Sequence, residues 1–253
     1  MIAKLLAALL VIAGLAAGRP AIAQEDQPFN PRQTEGVRKI IRDYLIEHPE
    51  VISEAIEALR EKMRVQAEAD AKKSIDAYKG ELYDNKDDPV VGNPKGDVTL
   101  VEFFDFNCGF CKQTVDAMFE AAKADGKVKI VLKDFPILTD DSVAVSHLAL
   151  AAKRQGKYEE IYRALMKYRG RLDDKATLKI AADAGLNVEQ MKKDAAAPEI
   201  AKQIHRNAEI ARALDIGGTP AFVIGDRVVS GAVEQQVFRQ LFEAARKGKA
   251  AQN

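Results

Sequence analysis

The stretch VEFFDFNCGFC, Val101 to Cys111, ends an apolar run and holds both cysteines of the chain, two residues apart. The run Val98–Phe106 is almost continuously β-forming and apolar, the pattern of a strand covered on both faces, as in a parallel sheet. The periodicity then changes. Residues 108–124 read as a helix that begins at the cysteine pair and stops at Asp125-Gly126, and Lys127–Phe135 reads as a second buried strand. Strand, helix and strand make a βαβ unit with the C-x-x-C at the carboxyl end of its first strand.

Three roles are open to such a pair. A structural zinc site needs four ligands, and the three histidines, His48, His147 and His205, do not stand at metal-ligand spacing. A structural disulfide here would close a very small loop and constrain the unfolded chain little. A redox pair fits the position better. Free N–H groups and the helix dipole stabilise an anion at a helix N-terminus. Cys108 sits there and becomes the expected nucleophile, with a lowered thiol pKa. Cys111, one turn further in, becomes the resolving thiol. Two charges in the buried strands add to this, Glu102 in LVEFF and Lys133 in IVLKDF. A buried charge needs a partner. Either each points to an exposed edge, or the two meet across neighbouring strands as an ion pair beneath Cys111 that takes or gives its proton.

Downstream, residues 137–216 carry helical periodicity throughout and form an inserted helical layer. Gly217-Gly218-Thr219-Pro220 precedes two short strands, 221–224 and 227–229, joined by a Gly225-Asp226 turn as an antiparallel hairpin, and a last helix covers 233–246. Upstream, Thr34–Glu47 reads as a helix capped by Thr34, with Val37, Ile40, Ile41, Tyr44 and Leu45 on one face. Pro49 then opens a long helix to Leu82. Its stripe Ile52, Ile56, Leu59, Met63 fades into the polar stretch Arg64–Ser74. The two helices have too few apolar residues for a core of their own. They either dock on the main domain or form an oligomerisation stalk that buries its stripe against copies of itself. Residues 83–97 read as a turn-rich linker.

The chain has 253 residues with 38 basic and 38 acidic side chains, so it lacks the basic excess of a nucleic-acid binder. Residues 1–23 have Lys4, an apolar run from Leu5 to Gly18 and the small residues Ala21 and Ala23. This is the pattern of a signal peptide cut after Ala23, and the run is shorter than the ~20 residues that span a bilayer. Export to a bacterial periplasm, where disulfides persist, is the expectation.

The motifs VEFFDFNCGFC, KIVLKDFPIL, AADAGLN and GGTPAFVIG resemble the DsbA-like branch of the thioredoxin superfamily over about residues 96–247. IIRDYLIEHPEVISEAIEAL and the charged helix after it resemble the narrower suppressor-of-copper-sensitivity protein C and Com-type group, whose N-terminal extension trimerises. The resemblance implies an α/β thioredoxin fold with a helical insertion at about 137–216, preceded by an N-terminal helical oligomerisation stalk. Residues 1–23 would be the signal peptide, 24–84 the stalk and linker helix, and 85–253 the domain. Cys108 would be the nucleophile, Cys111 the resolving cysteine, Glu102 the buried acid, and Pro220 a cis-proline with Thr219 as its neighbour. Gly109, Phe110, Gly218, Thr219 and Pro220 would face the client. No cofactor is implied. The partners would be unfolded or misoxidised exported proteins, a membrane thiol reductase, and two more copies through residues 34–64. Monomeric DsbA oxidases carry Pro-His between the cysteines, where this chain has Gly109-Phe110. The departure implies a less oxidising pair, between about −120 mV and about −200 to −230 mV. It favours isomerase or reductase work over a dithiol oxidase reoxidised by a quinone-linked membrane protein. A Cu(I)-binding or holdase protein is the reading from another class, since two thiolates suit Cu(I).

Overall fold

The structure, a computed structural model, describes residues 29–250. The expected signal peptide lies outside the described residues. The chain forms two compact units, one up to Arg60 and one from Glu61.

The first unit holds helix α1 (Pro31–Glu47) and the start of α2 (Glu50–Ala77). α1 starts three residues earlier than expected. Asn30, not Thr34, caps it, in a reciprocal capping box with Gln33, and Pro31 occupies the first turn. No residue of α1 is buried. Ile40, Ile41 and Tyr44 on α1 and Ile52, Ile56 and Leu59 on α2 are exposed, as is Met63 further along α2.

In the second unit α2 ends at Ala77, five residues before the expected Leu82. Tyr78 breaks it, and a short α3 (Lys79–Tyr83) follows. The break turns Leu82 into the domain, where it packs with Ile75, Val101, Phe103 and Val131. The segment from Ile75 onward is therefore part of the domain core rather than of a free stalk.

Five strands form one sheet in the order β1-β3-β2-β4-β5: β1 (Val90–Gly92), β2 (Val98–Phe104), β3 (Val128–Asp134), β4 (Ala221–Ile224) and β5 (Arg227–Ser230). β2 and β3 run parallel and are connected by α4 (Gly109–Asp125); the other pairings are antiparallel. Sequence pattern placed β1 inside a linker. At three residues, between Pro89 and Gly92, it is too short to show alternation and owes its place to pairing with β3. β2 and β3 are buried on both faces, as their apolar runs require.

The helical insertion is α5 (Asp140–Ala152), α6 (Tyr158–Lys167), α7 (Asp174–Asp183), α8 (Val188–Ala195) and α9 (Pro198–Ala213); α10 (Gln235–Ala250) closes the fold. Leu100, Phe104, Ile130 and Phe222 meet α4, α6 and α10 on one face of the sheet. Val101, Phe103, Val131 and Val223 meet Ile75, Leu82 and the end of α9 on the other. Tyr162 of α6 is fully buried, and the rings of Phe104, Phe106 and Phe119 meet it edge-on.

This alternation corrects one expectation. β2 and β3 pair with Glu102 opposite Leu132 and Phe103 opposite Lys133. Glu102 and Lys133 are one residue out of step and point to opposite faces, because successive side chains alternate. They do not pair. Lys133 Nζ bonds the Asp88 carboxylate and, at 2.6 Å, the Glu81 carbonyl, tying the chain ahead of β1 to the sheet.

Candidate active site

The strand-to-helix turn places the cysteines. Asp105 is fully buried, and its carboxylate accepts hydrogen bonds from three backbone N–H groups, those of Asn107 (2.8 Å), Ile137 (3.0 Å) and Leu138 (3.0 Å). The Asn107 side chain bonds both the N–H and the carbonyl of Leu172. The turn before the pair is thus fastened to two loops of the insertion.

Cys108 is the N-cap of α4, and its Sγ accepts from the Cys111 N–H at 3.2 Å. Ser, Thr, Asp or Asn usually supply that acceptor; here a sulfur does, and a thiolate accepts better than a thiol. The Cys108 thiol also donates to the Thr219 carbonyl at 3.2 Å. The Thr219–Pro220 peptide is cis, which presents that carbonyl to the pair. The cysteines are not bonded to each other.

The Cys108 thiol is lowered to about 6. The neighbouring Cys111 thiol is the largest cause, and the N–H groups of Cys111 and Phe110 add to it, against burial. Burial pushes the Cys111 thiol far up, helped by the bond to Cys108 and by Glu102. The two thiols are therefore unlike: Cys108 gives up its proton readily and Cys111 holds it. Glu102, fully buried on the sheet face that carries α4, accepts from the Tyr162 hydroxyl at 2.6 Å and is pushed up to about 8, chiefly by burial.

Alkylation of Cys108 in the reduced protein should rise through a midpoint near pH 6. An ordinary midpoint near 8.5 would show the cap geometry to be irrelevant. The folded thiol ionises below its unfolded value, so the reduced fold gains stability that is complete above about pH 8.5 and is lost as pH falls through about 6.

The other expected site residues divide. Phe110 is 62% exposed beside Cys108, and Gly109 and Gly218 are exposed, with nothing within 4 Å of where a Cβ would stand. Thr219 is half-buried and Pro220 buried. Lys133 is on the far face. Sequence reasoning missed Lys112, one turn after Cys108. It is 8% exposed, donates to the Gly170 carbonyl at 3.3 Å, and has its pKa lowered by burial. Its i+4 spacing from Cys108 was the available signal. Asp105, Asn107 and Tyr162 were also missed, since their roles depend on distant partners. Among the described residues no three His, Cys, Asp or Glu side chains gather as a metal site.

A parallel β2-β3 pair, a C-x-x-C at the start of the helix between them and the carbonyl of Thr219, just ahead of a cis-proline, against the first sulfur define a thioredoxin-fold site of the thiol-exchange class. The family model of the DSBA-like thioredoxin domain matches residues 99–243, more than half of the chain, and the chain belongs to that family. Residues 33–66 match the copper resistance protein ScsC N-terminal domain. A thioredoxin-like oxidoreductase from Silicibacter pomeroyi DSS-3 is 40% identical with a TM-score of 0.65, covering 66% of this chain and 97% of that one. Proteus mirabilis ScsC in a transitional conformation is 27% identical with a TM-score of 0.62, covering 88% and 100%. The Na(+)/H(+) antiporter NhaA 1 of Mycobacterium sp. (strain KMS) is 26% identical over 168 residues, 64% of this chain. The chain spans only 27% of the length of that curated relative. No helix among the described residues is long and apolar enough to cross a membrane.

Proposed function

We propose that this protein is a periplasmic thiol:disulfide exchange enzyme that works as a homotrimer, chiefly as an isomerase or reductase of misoxidised exported proteins. The observation that carries the chemistry is the Cys108 sulfur held at 3.2 Å from both the Cys111 N–H and the Thr219 carbonyl. Cys108 attacks a wrong client disulfide and forms a mixed disulfide. The freed client thiolate then attacks another client sulfur and releases Cys108. If the complex stalls, Cys111 gives its proton to Glu102 and attacks Cys108, ejecting the client. An extended client segment lies along Gly218-Thr219-Pro220 and beside Phe110, with strand-like backbone pairing. A membrane thiol reductase returns the pair to the dithiol.

The exposed stripe Ile40, Ile41, Tyr44, Ile52, Ile56, Leu59 and Met63 supports assembly through residues 34–64. Apolar rows at helical spacing find cover in copies of themselves. An oxidase working alone has no need of such a stripe, whereas an isomerase gains from several pairs acting on one client.

Two measurements on the full chain test this. Light scattering should give three times the chain mass. Catalytic amounts of the reduced protein should increase the yield of active ribonuclease from the scrambled form. A monomer that instead oxidises reduced ribonuclease, with no gain from the scrambled form, would establish the oxidase reading.

A further inference from the structure

The sheet face that carries α4 holds a second acid beside Glu102. The register pairs Glu102 with Leu132 and Phe104 with Asp134, so Glu102 and Asp134 share a face as diagonal neighbours. A strand spacing of ~4.8 Å and a rise of ~3.3 Å per residue put their Cα atoms about 8 Å apart. Both side chains are fully buried. Each gives one oxygen to a tyrosine of α6. Tyr162 donates to Glu102 Oε2 and Tyr158 to Asp134 Oδ2, both at 2.6 Å. The two tyrosines stand one turn apart with stacked rings, centroids 6.4 Å apart. The other oxygens, Glu102 Oε1 and Asp134 Oδ1, are buried without a hydrogen-bond donor. A carboxylate with a bare oxygen in a dry interior favours its neutral form, and two such groups resist being charged together.

The groups facing the two acids come from several elements. Glu102 faces Cys108 and Cys111 of the active-site turn, Tyr162 and Asp134. Asp134 faces Tyr158, Asp88 ahead of β1, and the Ser146 hydroxyl of α5, which does not reach hydrogen-bond geometry; Asn207 of α9 bonds its backbone carbonyl at 3.1 Å.

We propose that Glu102 and Asp134 form one coupled acid pair bridged by the Tyr158–Tyr162 stack, and that Asp134 is a positioning residue that sets how tightly Glu102 holds the proton of Cys111. This deepens the exchange reading and rests on it. In the resolving step the Cys111 S–H bond breaks and its proton passes to ionised Glu102. The sulfur's electron pair forms the Cys108–Cys111 bond. The Cys108–client S–S bond breaks, its pair leaves on the client sulfur, and water protonates that thiolate. The cysteine pair loses two electrons and the client disulfide gains them.

Burial is the main force raising both acids, Asp134 to about 7 and Glu102 to about 8. The two acids resist being charged together, so a charged Asp134 makes Glu102 hold its proton to higher pH. Without that charge Glu102 must ionise at lower pH.

The test is the pH profile of resolution in the full-length protein, followed as release of glutathione from a Cys108–glutathione mixed disulfide. In Asp134→Asn the midpoint should fall by on the order of one pH unit. Tyr158→Phe removes the donor that favours charged Asp134 and should shift the midpoint in the same sense by less. Glu102→Gln should abolish the transition. A folded Asp134→Asn variant whose profile superposes on the wild type, while Glu102→Gln still abolishes the transition, overturns the proposal. If Asp134→Asn does not fold, Tyr158→Phe decides by the same readout, an unmoved midpoint overturning it. A transition untouched by Glu102→Gln overturns the role of Glu102 itself, a different failure.

Discussion

Cys108→Ser should reduce disulfide exchange to the uncatalysed level while leaving the fold intact. The two consequences separate because Cys108 has two jobs. Its sulfur is the expected nucleophile, and it is also the N-cap acceptor of α4. A serine hydroxyl makes the same hydrogen bond to the Cys111 N–H, and serine is among the preferred caps. Alanine removes both functions and should lose about 1 kcal/mol of stability besides. Circular dichroism melts of Ser and Ala variants, run beside a ribonuclease assay, check this directly. A serine variant that keeps its exchange rate would mean that the chemistry sits elsewhere. Serine should also remove the rise in reduced-form stability between about pH 6 and 8.5, since no group then titrates at that cap.

Lys133→Met should destabilise the domain by about 3–5 kcal/mol, because it leaves a buried carboxylate without its cation. The Lys133 and Asp88 side chains are both fully buried and bonded to each other, and Gln203 donates to the other Asp88 oxygen at 3.2 Å. Burial raises the carboxyl of Asp88 and lowers the ammonium of Lys133, and each is the main group that offsets this for the other. The double variant Lys133→Met, Asp88→Leu should recover most of the loss, since apolar replacement of a whole buried pair is often close to neutral. Urea unfolding of the two single variants and the double closes the cycle. Additive losses would show that the pair is not coupled. The folded fraction of Lys133→Met should keep its exchange rate, as Lys133 faces away from Cys111.

The parts of this protein that the sequence states plainly are the ones fixed by local rules. Two largely apolar, β-forming runs either side of a helix pattern read as buried parallel strands, and the position of Cys108 at the helix start follows from where the periodicity changes. Gly126, at φ 75°, ends α4 as the Asp-Gly pair suggests. What stayed hidden depends on register or on distant contacts. Glu102 and Lys133 were visible as buried charges, but a single residue of register decides which face each takes, and composition carries no record of it. Asp88, the true partner of Lys133, lies in a polar run that reads as linker. β1 is a strand only because β3 offers it an edge. Tyr162 and Asp134 look like ordinary helix and strand-end residues until the fold lays α6 across the sheet. Thr34 resembled a cap, but Asn30 and Gln33 close the box one turn earlier.

The two cysteines one helical turn apart have a consequence for the chain's own folding. With four cysteines a chain has three ways to pair them fully, and with six it has fifteen. With two, this chain has one internal pairing and no wrong isomer to escape from. A member of a thiol-exchange family can therefore reach its own native state without any choice among pairings.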